Sequence, residues 1–409
     1  MVGVKVTTGQ HPGGLIVIPQ DMEVSDFCPA QYPANDSEKG VTTLHFDYKV
    51  LEDNLIKLDV LGHDNPTMLK MLENMTGVNA DDIRLDDPDT MALFTSPAVM
   101  GLSEDDPIIG KTGSLGIPEF GTPFTRQMLC DTMPGDFDAL VRISGFSHGE
   151  SVWQGNALDL IESGTATIHE TISSRDDIML YLISKGMTDR VAFKVSESIR
   201  KGKGIPGDLD KEMKQRGVPQ WYIDSCNKIK YLFPKAHAVA YVDIAFRIAW
   251  FKVHRPLAFY SAHFHRRRKT FAAETMTKGI DIVRRKIEAI KANADASKPK
   301  DDEQLTTLES CYEFYKRGFE FVNIDIYESD ADKFLMVDET KLRPPFVALS
   351  GLGETAAFDL AEQRKHRDFI SQEEILAACQ SVNKNIMVQL KSIGALRSLP
   401  DTSQMSLFG

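Results

Sequence analysis

The sequence predicts an α+β protein that is helix-rich and divided into several domains. Short apolar or alternating runs between turn residues fill the stretch up to about residue 62, a pattern typical of strands. Helical periodicity dominates from about residue 65 to residue 257 and returns in a compact module over 345–399. A chain of 409 residues is long enough for two to four domains with their own cores.

The first half of the chain moves from strand signals to helix signals. Strands are predicted at three runs: 14–19 (GLIVIP), 43–48 and 55–61. Pro66 and Pro88 each lie early in a helix-like run, where proline is tolerated. Residues 116–126 (GIPEFGTPFTR) and 143–153 (ISGFSHGESVW) are rich in glycine and hydroxyl groups and predict turns that can contact sugar and phosphate.

The second half ends in a helical module. The polar stretch 292–304 predicts an exposed loop, and strand-like alternation follows over 318–346. Residues 345–364 (PFVALSGLGETAAFDLAEQR) fit an apolar helix, a Gly351-Leu352-Gly353 turn and an alanine-rich helix. Such a turn can aim backbone amides at one DNA phosphate, and a plain helical hairpin is the alternative.

Charge is unevenly distributed along the chain. The net charge is −12, yet residues 194–269 hold 17 Lys and Arg against 6 Asp and Glu, a local +11 that leaves −23 elsewhere. An acidic body with one basic segment suits a protein that binds a polyanion on one surface. The five cysteines include no C-x-x-C pair, which indicates reduced thiols and a cytoplasmic location. The longest apolar run, 236–251, contains Asp243 and Arg247 and predicts a buried helix rather than a membrane span.

Cations cluster in residues 198–204 (SIRKGKG) and again in 233–242 (FPKAHAVAYV). Basic side chains on a glycine-rich turn can surround a triphosphate, because glycine lets backbone amides approach the same oxygens. The glycine spacing is not that of a P-loop, which excludes the usual ATPase interpretation. The alternatives are a solvated basic turn and, for His237, a packed core histidine.

Asp59 is a lone carboxylate in the apolar run 56–62 (IKLDVLG), on the same strand face as Lys57. A buried carboxylate is costly unless it binds a metal ion or hydrogen-bond donors. The sequence therefore leaves two interpretations of Asp59 open: a metal ligand, or a structural aspartate at a strand end.

Three blocks occur in an order and spacing that resemble one family: RKGKG (200–204), WYIDSC (221–226) and FPKAHAVAYV. They are similar to the fingers of the PolC-type bacterial DNA polymerase III alpha subunit, a replicative enzyme of polymerase family C. The resemblance covers essentially the whole chain. It implies a partial polymerase-β-like palm at 1–64, α-helical fingers at 65–257, a duplex-binding region at 258–344, a helix-hairpin-helix module at 345–399 and a clamp-binding tail at 400–409.

The resemblance also assigns roles to individual residues. Asp59 would be the third metal-binding carboxylate of the palm, with Lys57 toward the incoming phosphates. The residues implied to bind dNTP phosphates are Arg175, Arg200, Lys201, Lys203, Lys235 and His237. The residues implied to contact DNA are Ser144, Ser147, His148, Gly351 and Gly353. For Arg175 the alternative is a salt bridge at a helix start with Asp176 and Asp177.

The last residues, 404–408 (QMSLF), resemble the bacterial sliding-clamp-binding motif. Gln404, Leu407 and Phe408 would then dock on the clamp, since exposed apolar residues on a loose tail normally mark a docking peptide. A frayed tail is the alternative. Primer-template DNA, dNTP, the clamp and other replisome subunits are the implied partners.

The family's reaction needs two Mg²⁺ ions held by several carboxylates. In the resembled family two of these come from an Asp-x-Asp strand upstream of the block TTGQHPGG, and this sequence begins just before that block. Asp136-Phe137-Asp138 matches the Asp-x-Asp pattern but lies in a helical context, so we reject it as a substitute for the upstream strand. We therefore expect the C-terminal portion of a longer polymerase that does not polymerise DNA alone.

Two other functions stay open. One is a non-catalytic fragment that binds DNA and the sliding clamp. The other is a metal-dependent phosphoesterase that would use His11, His45, Asp47, His63 and Asp64, although their spacing matches no known metal signature.

Overall fold

Antiparallel pairing of β1 (Gly14–Val17) with β4 (Ile56–Asp59) organises the N-terminal part of the chain. A computed structural model describes residues 8–11, 13–60, 62–292 and 299–403. The chain divides into two compact units, Met1–Asp64 and Asn65–Gly409.

The first unit contains two short antiparallel ladders. The second ladder joins β2 (Ala30–Gln31) to β3 (Thr43–Leu44), and a small core of Cys28, Leu51 and Leu55 lies beneath. The strands predicted at 14–19 and 55–61 are present in shortened form. The run 43–48 is strand only at its start, because Asp47 accepts a hydrogen bond from the Lys49 amide and caps a 3₁₀ turn that begins at Tyr48.

The rest of the described chain is mainly helical, as predicted. Its helices are α1 (Asp64–Thr76), α2 (Pro88–Leu93), α3 (Pro123–Thr132), α4 (Phe137–His148), α5 (Leu158–Glu162), α6 (Arg175–Ser184), α7 (Asp189–Arg200), α8 (Leu209–Gln215), α9 (Gln220–Lys228), α10 (Lys235–His254), α11 (Pro256–Arg266), α12 (Ala273–Met276), α13 (Ile280–Ala292), α14 (Pro299–Lys316), α15 (Glu354–His366), α16 (Gln372–Ala378) and α17 (Lys384–Ser392). A small sheet places β7 (Lys341–Arg343) between β5 (Glu320–Phe321), which is parallel to it, and β6 (Leu335–Met336), which is antiparallel.

Helix α10 is the central helix of the second unit, and it packs against α2, α4 and α11. Phe246, Ile248, Ala249 and Phe251 are fully buried. Pro234 precedes the helix, and Pro256 begins α11 directly after the break at Arg255. The apolar run 236–251 is therefore part of the core, as predicted. No helix in the described part of the chain is long and apolar enough to cross a membrane.

The turn predicted at 143–153 is wrong for its first half, because residues up to His148 belong to α4. Gly145 lies inside that helix, and a Cβ built there would come 2.6 Å from the Ser173 carbonyl oxygen. The glycine therefore serves the close approach of two backbone segments. In the sequence this requirement is indistinguishable from a turn signal.

Two further expectations need correction. The exposed loop predicted at 292–304 is helical from Pro299, since proline fits a helix start and Leu308, Cys311 and Phe314 bury the face of α14 that follows. The apolar helix predicted before Gly351 is a single 3₁₀ turn, Phe346–Ala348, because Leu349 adopts an extended conformation.

Candidate functional site

Glu197 joins the start of α6 to the end of α7. Its Oε1 accepts hydrogen bonds from Arg175 Nη1 at 2.9 Å and Arg200 Nε at 3.0 Å, and its Oε2 accepts from Arg200 Nη2 at 3.0 Å. Lys201 Nζ lies 3.8 Å from the same Oε2. The hydrogen bond and charge of Arg200, followed by those of Arg175, lower the pKa of the Glu197 carboxyl to about 2.

Arg175, Arg200 and Lys201 all contact Glu197, and we call these three, together with Lys203 of the same turn, the cation cluster. Glu197 and Asp176, which lies 3.7 Å from Arg175, supply two negative charges against these four positive ones. Lys203 is exposed, and no ion pair joins its ammonium to another described residue. The cluster therefore keeps a net positive charge. Both interpretations of Arg175 are consequently compatible: it forms the helix-start salt bridge and also belongs to a cationic surface.

The backbone of the RKGKG turn requires its two glycines. Gly202 and Gly204 adopt φ values of +70° and +66°, which favour glycine. A Cβ on Gly202 would lie 2.6 Å from the Lys230 carbonyl oxygen, so the turn packs tightly on the segment before α10. Ser198 closes the turn by donating from Oγ to the Gly204 carbonyl at 2.8 Å.

Lys235 does not belong to the cation cluster. Its Nζ lies 3.4 Å from Asp138 Oδ1 and 3.3 Å from Asp177 Oδ1, and its backbone amide donates to Asp176. The two carboxylates neutralise the ammonium and would repel a phosphate. Lys235 therefore forms ion pairs between α4, α6 and α10, and the phosphate contact expected of it stays a prediction.

Asp136-Phe137-Asp138 is the start of a helix, as expected. Asp136 caps α4 by accepting from the Ala139 amide at 2.8 Å. Asp138 pairs with Arg142 at 2.8 Å, and although burial acts to raise the pKa of its carboxyl, the hydrogen bond and charge of Arg142 lower it to about 2.

Four rings form a continuous series from the end of α4 to the first turns of α10. His148 stacks on Phe233 with ring centroids 4.7 Å apart, Phe233 meets His237 at 5.2 Å, and His237 meets Tyr241 at 4.6 Å. We call these four residues the ring series. His237 is exposed, so the packed-core alternative is wrong. His148 also contacts Glu119 at 2.8 Å, a hydrogen bond that raises the pKa of the imidazole.

The backbone brings the ring series next to the cation cluster. Ser174, which precedes Arg175, pairs with Phe233 in a parallel β-bridge. The RKGKG turn lies against Lys230, three residues before the same phenylalanine. The backbone segments that carry the cation cluster and the ring series are therefore neighbours.

The hydroxyl expected of Ser144 at a DNA interface is not available. Ser144 is 1% exposed, and its Oγ has no hydrogen-bond partner. Ser147 is partly buried and donates to the Ser144 carbonyl at 2.9 Å. The helical conformation of 137–148 turns Ser144 into the core, which the predicted turn would not have done, so its assignment as a DNA contact is corrected. Ser147 stays a prediction.

Asp59 lies on the exposed side of the first unit. Its side chain is 53% exposed and accepts from Lys57 Nζ at 3.0 Å. The argument from a buried carboxylate is therefore wrong, although the strand is present and Lys57 and Asp59 are close together, as a shared strand face predicts. Within the described residues, no group of three His, Cys, Asp or Glu side chains could hold a metal ion. One exposed carboxylate paired with an ammonium does not fit the two-ion site that the resemblance implies.

The first unit also contains an open cleft of about 930 Å³, lined by His11, His45, Tyr48 and Lys57 among others. His11 Nδ1 accepts from the Gly13 amide at 3.2 Å, and His45 contacts Gln31 at 2.7 Å. Both imidazoles are engaged within the protein, and this engagement gives no support to the phosphoesterase alternative.

The C-terminal module places Gly351 at φ +82° and Gly353 at the N-cap of α15. Glu354, the first residue of that helix, lies 3.5 Å from Arg268 and 3.6 Å from Lys269. Gln404, Leu407 and Phe408 lie outside the described residues, so the clamp-binding tail stays a prediction.

Sequence reasoning missed Glu197, Phe233 and Tyr241. Glu197 precedes Arg200 and Lys201 by three and four residues, a helical spacing that predicts ion pairs. His237 and Tyr241 are four residues apart, a spacing that places both on one face of α10, and Phe233 lies four residues before His237. Neither signal shows that His148 completes the series.

Comparison with known proteins agrees with the resemblance. Residues 65–218 match the bacterial DNA polymerase III alpha subunit finger domain, residues 1–62 match the bacterial DNA polymerase III alpha NTPase domain, and residues 318–405 match a helix-hairpin-helix motif. The chain is 50% identical over 406 residues to the PolC-type DNA polymerase III of Caldanaerobacter subterraneus, covering 99% of this chain and 29% of that protein. The PolC-type protein of Bacillus cereus is also 50% identical, with 99% and 28% covered, and that of Thermotoga maritima is 49% identical, with 100% and 30% covered. The chain thus spans about three tenths of the length of these relatives.

Proposed function

We propose that this chain is the C-terminal portion of a replicative PolC-type DNA-directed DNA polymerase, in which it holds the incoming dNTP and the primer-template duplex. The whole enzyme would add a dNTP to a primer 3′ end. Within it, the palm would extend to residue 64 and the fingers to residue 257. The similarity to PolC-type relatives over the whole chain supports it, as does the cation cluster beside the ring series.

The chemistry proposed for this chain is electrostatic. Triphosphate charge would be balanced by Arg175, Arg200, Lys201 and Lys203, and Glu197 fixes the two guanidinium groups before the ligand arrives. Cations held in place in this way stabilise charge that develops on a leaving pyrophosphate without reorganising during the reaction. The resemblance implies two Mg²⁺ ions, for which the described residues supply only Asp59.

The net positive charge of the cation cluster is the observation that carries this proposal, and Lys203 tests it. A Lys203→Ala variant should weaken binding of dGTP by about tenfold to a hundredfold, because a hydrogen bond to a charged group contributes about 1.5–3 kcal/mol. Lys211→Ala removes an exposed lysine that pairs with Asp208, so it is the matched control. Equal dGTP affinity in both variants, measured by equilibrium titration of the purified chain, would contradict the proposal.

Primer-template DNA is the second proposed ligand, bound through the basic segment and the helix-hairpin-helix module. Affinity for a primer-template duplex should fall steeply as salt rises, because bound cations release counterions from the phosphates. An affinity that does not change with salt would count against it.

We also propose docking of residues 404–408 on a sliding clamp, association with other replisome subunits, and a cytoplasmic location in keeping with five unpaired cysteines.

A non-catalytic DNA- and clamp-binding fragment is the second candidate. It is favoured by one observation: the described residues contain a cation cluster but no group of three metal-ligating side chains. Primer extension separates the two candidates, since incorporation of nucleotides by the purified 409-residue chain would exclude the non-catalytic function.

A further inference from the structure

We propose that Glu274 and Glu354 hold the turn of the C-terminal module in place of DNA phosphates, so that a duplex must displace both carboxylates in order to bind. We call residues 350–353 the hairpin turn. Because it requires the hairpin turn and the cations beside it to contact DNA, this autoinhibitory role rests on the proposed function.

Glu274, in the short helix α12, binds the hairpin turn through donors that a phosphate would use. The Ser350 hydroxyl donates to Glu274 Oε1, and the Ser350 backbone amide donates to Oε2 over 3.5 Å. Proteins bind DNA phosphates through serine hydroxyls and backbone amides of this kind. The described partner of this carboxylate is therefore a pair of neutral hairpin donors rather than a cation.

Glu354, the first residue of α15, lies beside two cations that follow α11. Its Oε1 lies 3.5 Å from Arg268 Nη2 and 3.6 Å from Lys269 Nζ. Both distances exceed the length of about 2.7–2.9 Å that is typical of a charge-assisted hydrogen bond. The side chains of Lys269 and Glu354 are 77% and 50% exposed, so another anion can exchange with this carboxylate.

The two carboxylates contact opposite ends of the same short turn. Between them, Gly353 is the N-cap of α15 and makes no side-chain cap, and a Cβ built on it would meet no atom within 4 Å. Solvent can therefore reach the first amides of a 13-residue helix, where anions are favoured. A phosphate at this turn would need the Ser350 donors and the Lys269 ammonium, which Glu274 and Glu354 already engage.

The fold of the hairpin turn does not depend on these carboxylates. Leu352, Ala356 and Leu360 are buried, and the Leu352 amide donates to the Leu349 carbonyl at 3.1 Å. Contacts made by exposed carboxylates contribute little to stability. Their main consequence is for binding, because a ligand that needs a released state has its affinity reduced by the fraction of molecules in that state.

Fluorescence anisotropy of a labelled primer-template duplex, titrated with the 409-residue chain, tests the role of Glu274. Glu274→Ala should raise duplex affinity about twofold to tenfold, the range expected when one hydrogen-bonded contact no longer competes. If the carboxylate merely braced the turn, the same variant would lower duplex affinity. Urea denaturation of each variant verifies that the fold is retained.

Glu354→Gln should also raise duplex affinity, by up to about fivefold, because an exposed ion pair is weaker. Its matched control is Glu362→Gln, which removes the same charge near the other end of α15. Glu362 pairs with Lys365 at 2.7 Å and lies two turns from the hairpin. The control should therefore change affinity less than either carboxylate of the hairpin turn.

A double-mutant cycle separates competition from a general change in charge. Lys269→Ala should lower duplex affinity more in the Glu354→Gln background than in the wild type, because the ammonium there has no carboxylate to leave. A general effect of charge would instead make the two substitutions additive.

Four results decide the matter. Lower or unchanged duplex affinity in Glu274→Ala would overturn the competition, and so would an equal rise in Glu362→Gln or an additive Lys269 cycle. Absence of duplex binding by the wild type and by every variant would contradict the proposed DNA contact itself, and the competition with it. Failure of the proposed function is thereby distinguished from failure of the competition alone.

Discussion

Arg175 Nη1 lies 2.9 Å from Glu197 Oε1, and this contact joins the first residue of α6 to the last turn of α7. The same carboxylate holds Arg200 through two hydrogen bonds. An acidic residue thus fixes the geometry of a basic surface. Because an isolated arginine side chain loses considerable rotamer freedom when it binds a ligand, prior positioning lowers that cost.

Glu197→Gln should destabilise the chain in a pH-dependent way. The folded-state pKa of Glu197 is lowered from 4.5 to about 2, so its contribution is complete above about pH 4.5 and is lost as the pH falls toward 2. The difference in urea midpoint between wild type and variant should therefore be largest near pH 6 and shrink steadily below pH 4.5. Tryptophan fluorescence reports the transition, since Trp153, Trp221 and Trp250 all lie in the second unit.

The matched control for this prediction is Asp208→Asn. Asp208 pairs with Lys211 at 3.0 Å, but its side chain is 87% exposed, so solvent screens the pair. The urea midpoint of Asp208→Asn should stay close to that of wild type throughout the pH range. A Glu197→Gln difference that grows as the pH falls would show that the carboxylate is not stabilised by the two arginines.

Lys252→Met should strongly destabilise the second unit. The Lys252 ammonium is completely buried and donates to Glu313 at 2.7 Å and to the carbonyls of Gly113 and Leu115 at 2.7 and 2.6 Å. Without it the Glu313 carboxylate stays buried without an ion-pair partner, which costs about 3–5 kcal/mol. Urea denaturation measures the change, and Lys211→Met, an exposed pair, should cost no more than about 1 kcal/mol. Similar losses in the two variants would refute the distinction between buried and exposed pairs.

Ser144→Ala should leave DNA affinity unchanged. The serine hydroxyl is buried without a hydrogen-bond partner, so its removal relieves an unsatisfied group and should keep or raise stability, by about 1 kcal/mol at most. Filter binding with a primer-template duplex and urea denaturation test the two parts. A clear loss of DNA affinity with normal stability would restore Ser144 to the interface.

Gly351→Ala and Gly353→Ala should separate folding from DNA contact in the C-terminal module. Gly351 has a φ of +82°, where a side chain costs about 1–2 kcal/mol, while Gly353 has a φ of −72° and no atom within 4 Å of a Cβ. Stability should fall more in Gly351→Ala than in Gly353→Ala, whose cost is limited to a less favourable N-cap residue. Duplex affinity should fall in both if the amides of the turn contact a phosphate, and normal affinity in Gly353→Ala would exclude that contact at its position.

Several parts of the fold could be predicted from local sequence. Prolines at helix starts, the apolar run of α10 and the alternating runs of β1 and β4 each express a short-range preference, and the structure contains all of them. The turn predicted around Gly145 and the loop predicted around Pro299 are wrong for one common reason. Each residue is compatible with a turn and with a helix, and only its distant neighbours, Ser173 in one case and the core around α14 in the other, select the helix.

For the site, the order of residues along the chain shows where positive charge and glycine concentrate, and the RKGKG and FPKAHAVAYV blocks resemble one polymerase family. It did not determine which cations are free to meet a ligand. Lys235 and Arg200 look alike in the sequence, yet Lys235 faces Asp138 and Asp177 while Arg200 shares one carboxylate with Arg175. That difference belongs to the tertiary structure, because ion pairs and ring contacts between residues far apart in the chain form only when the helices pack.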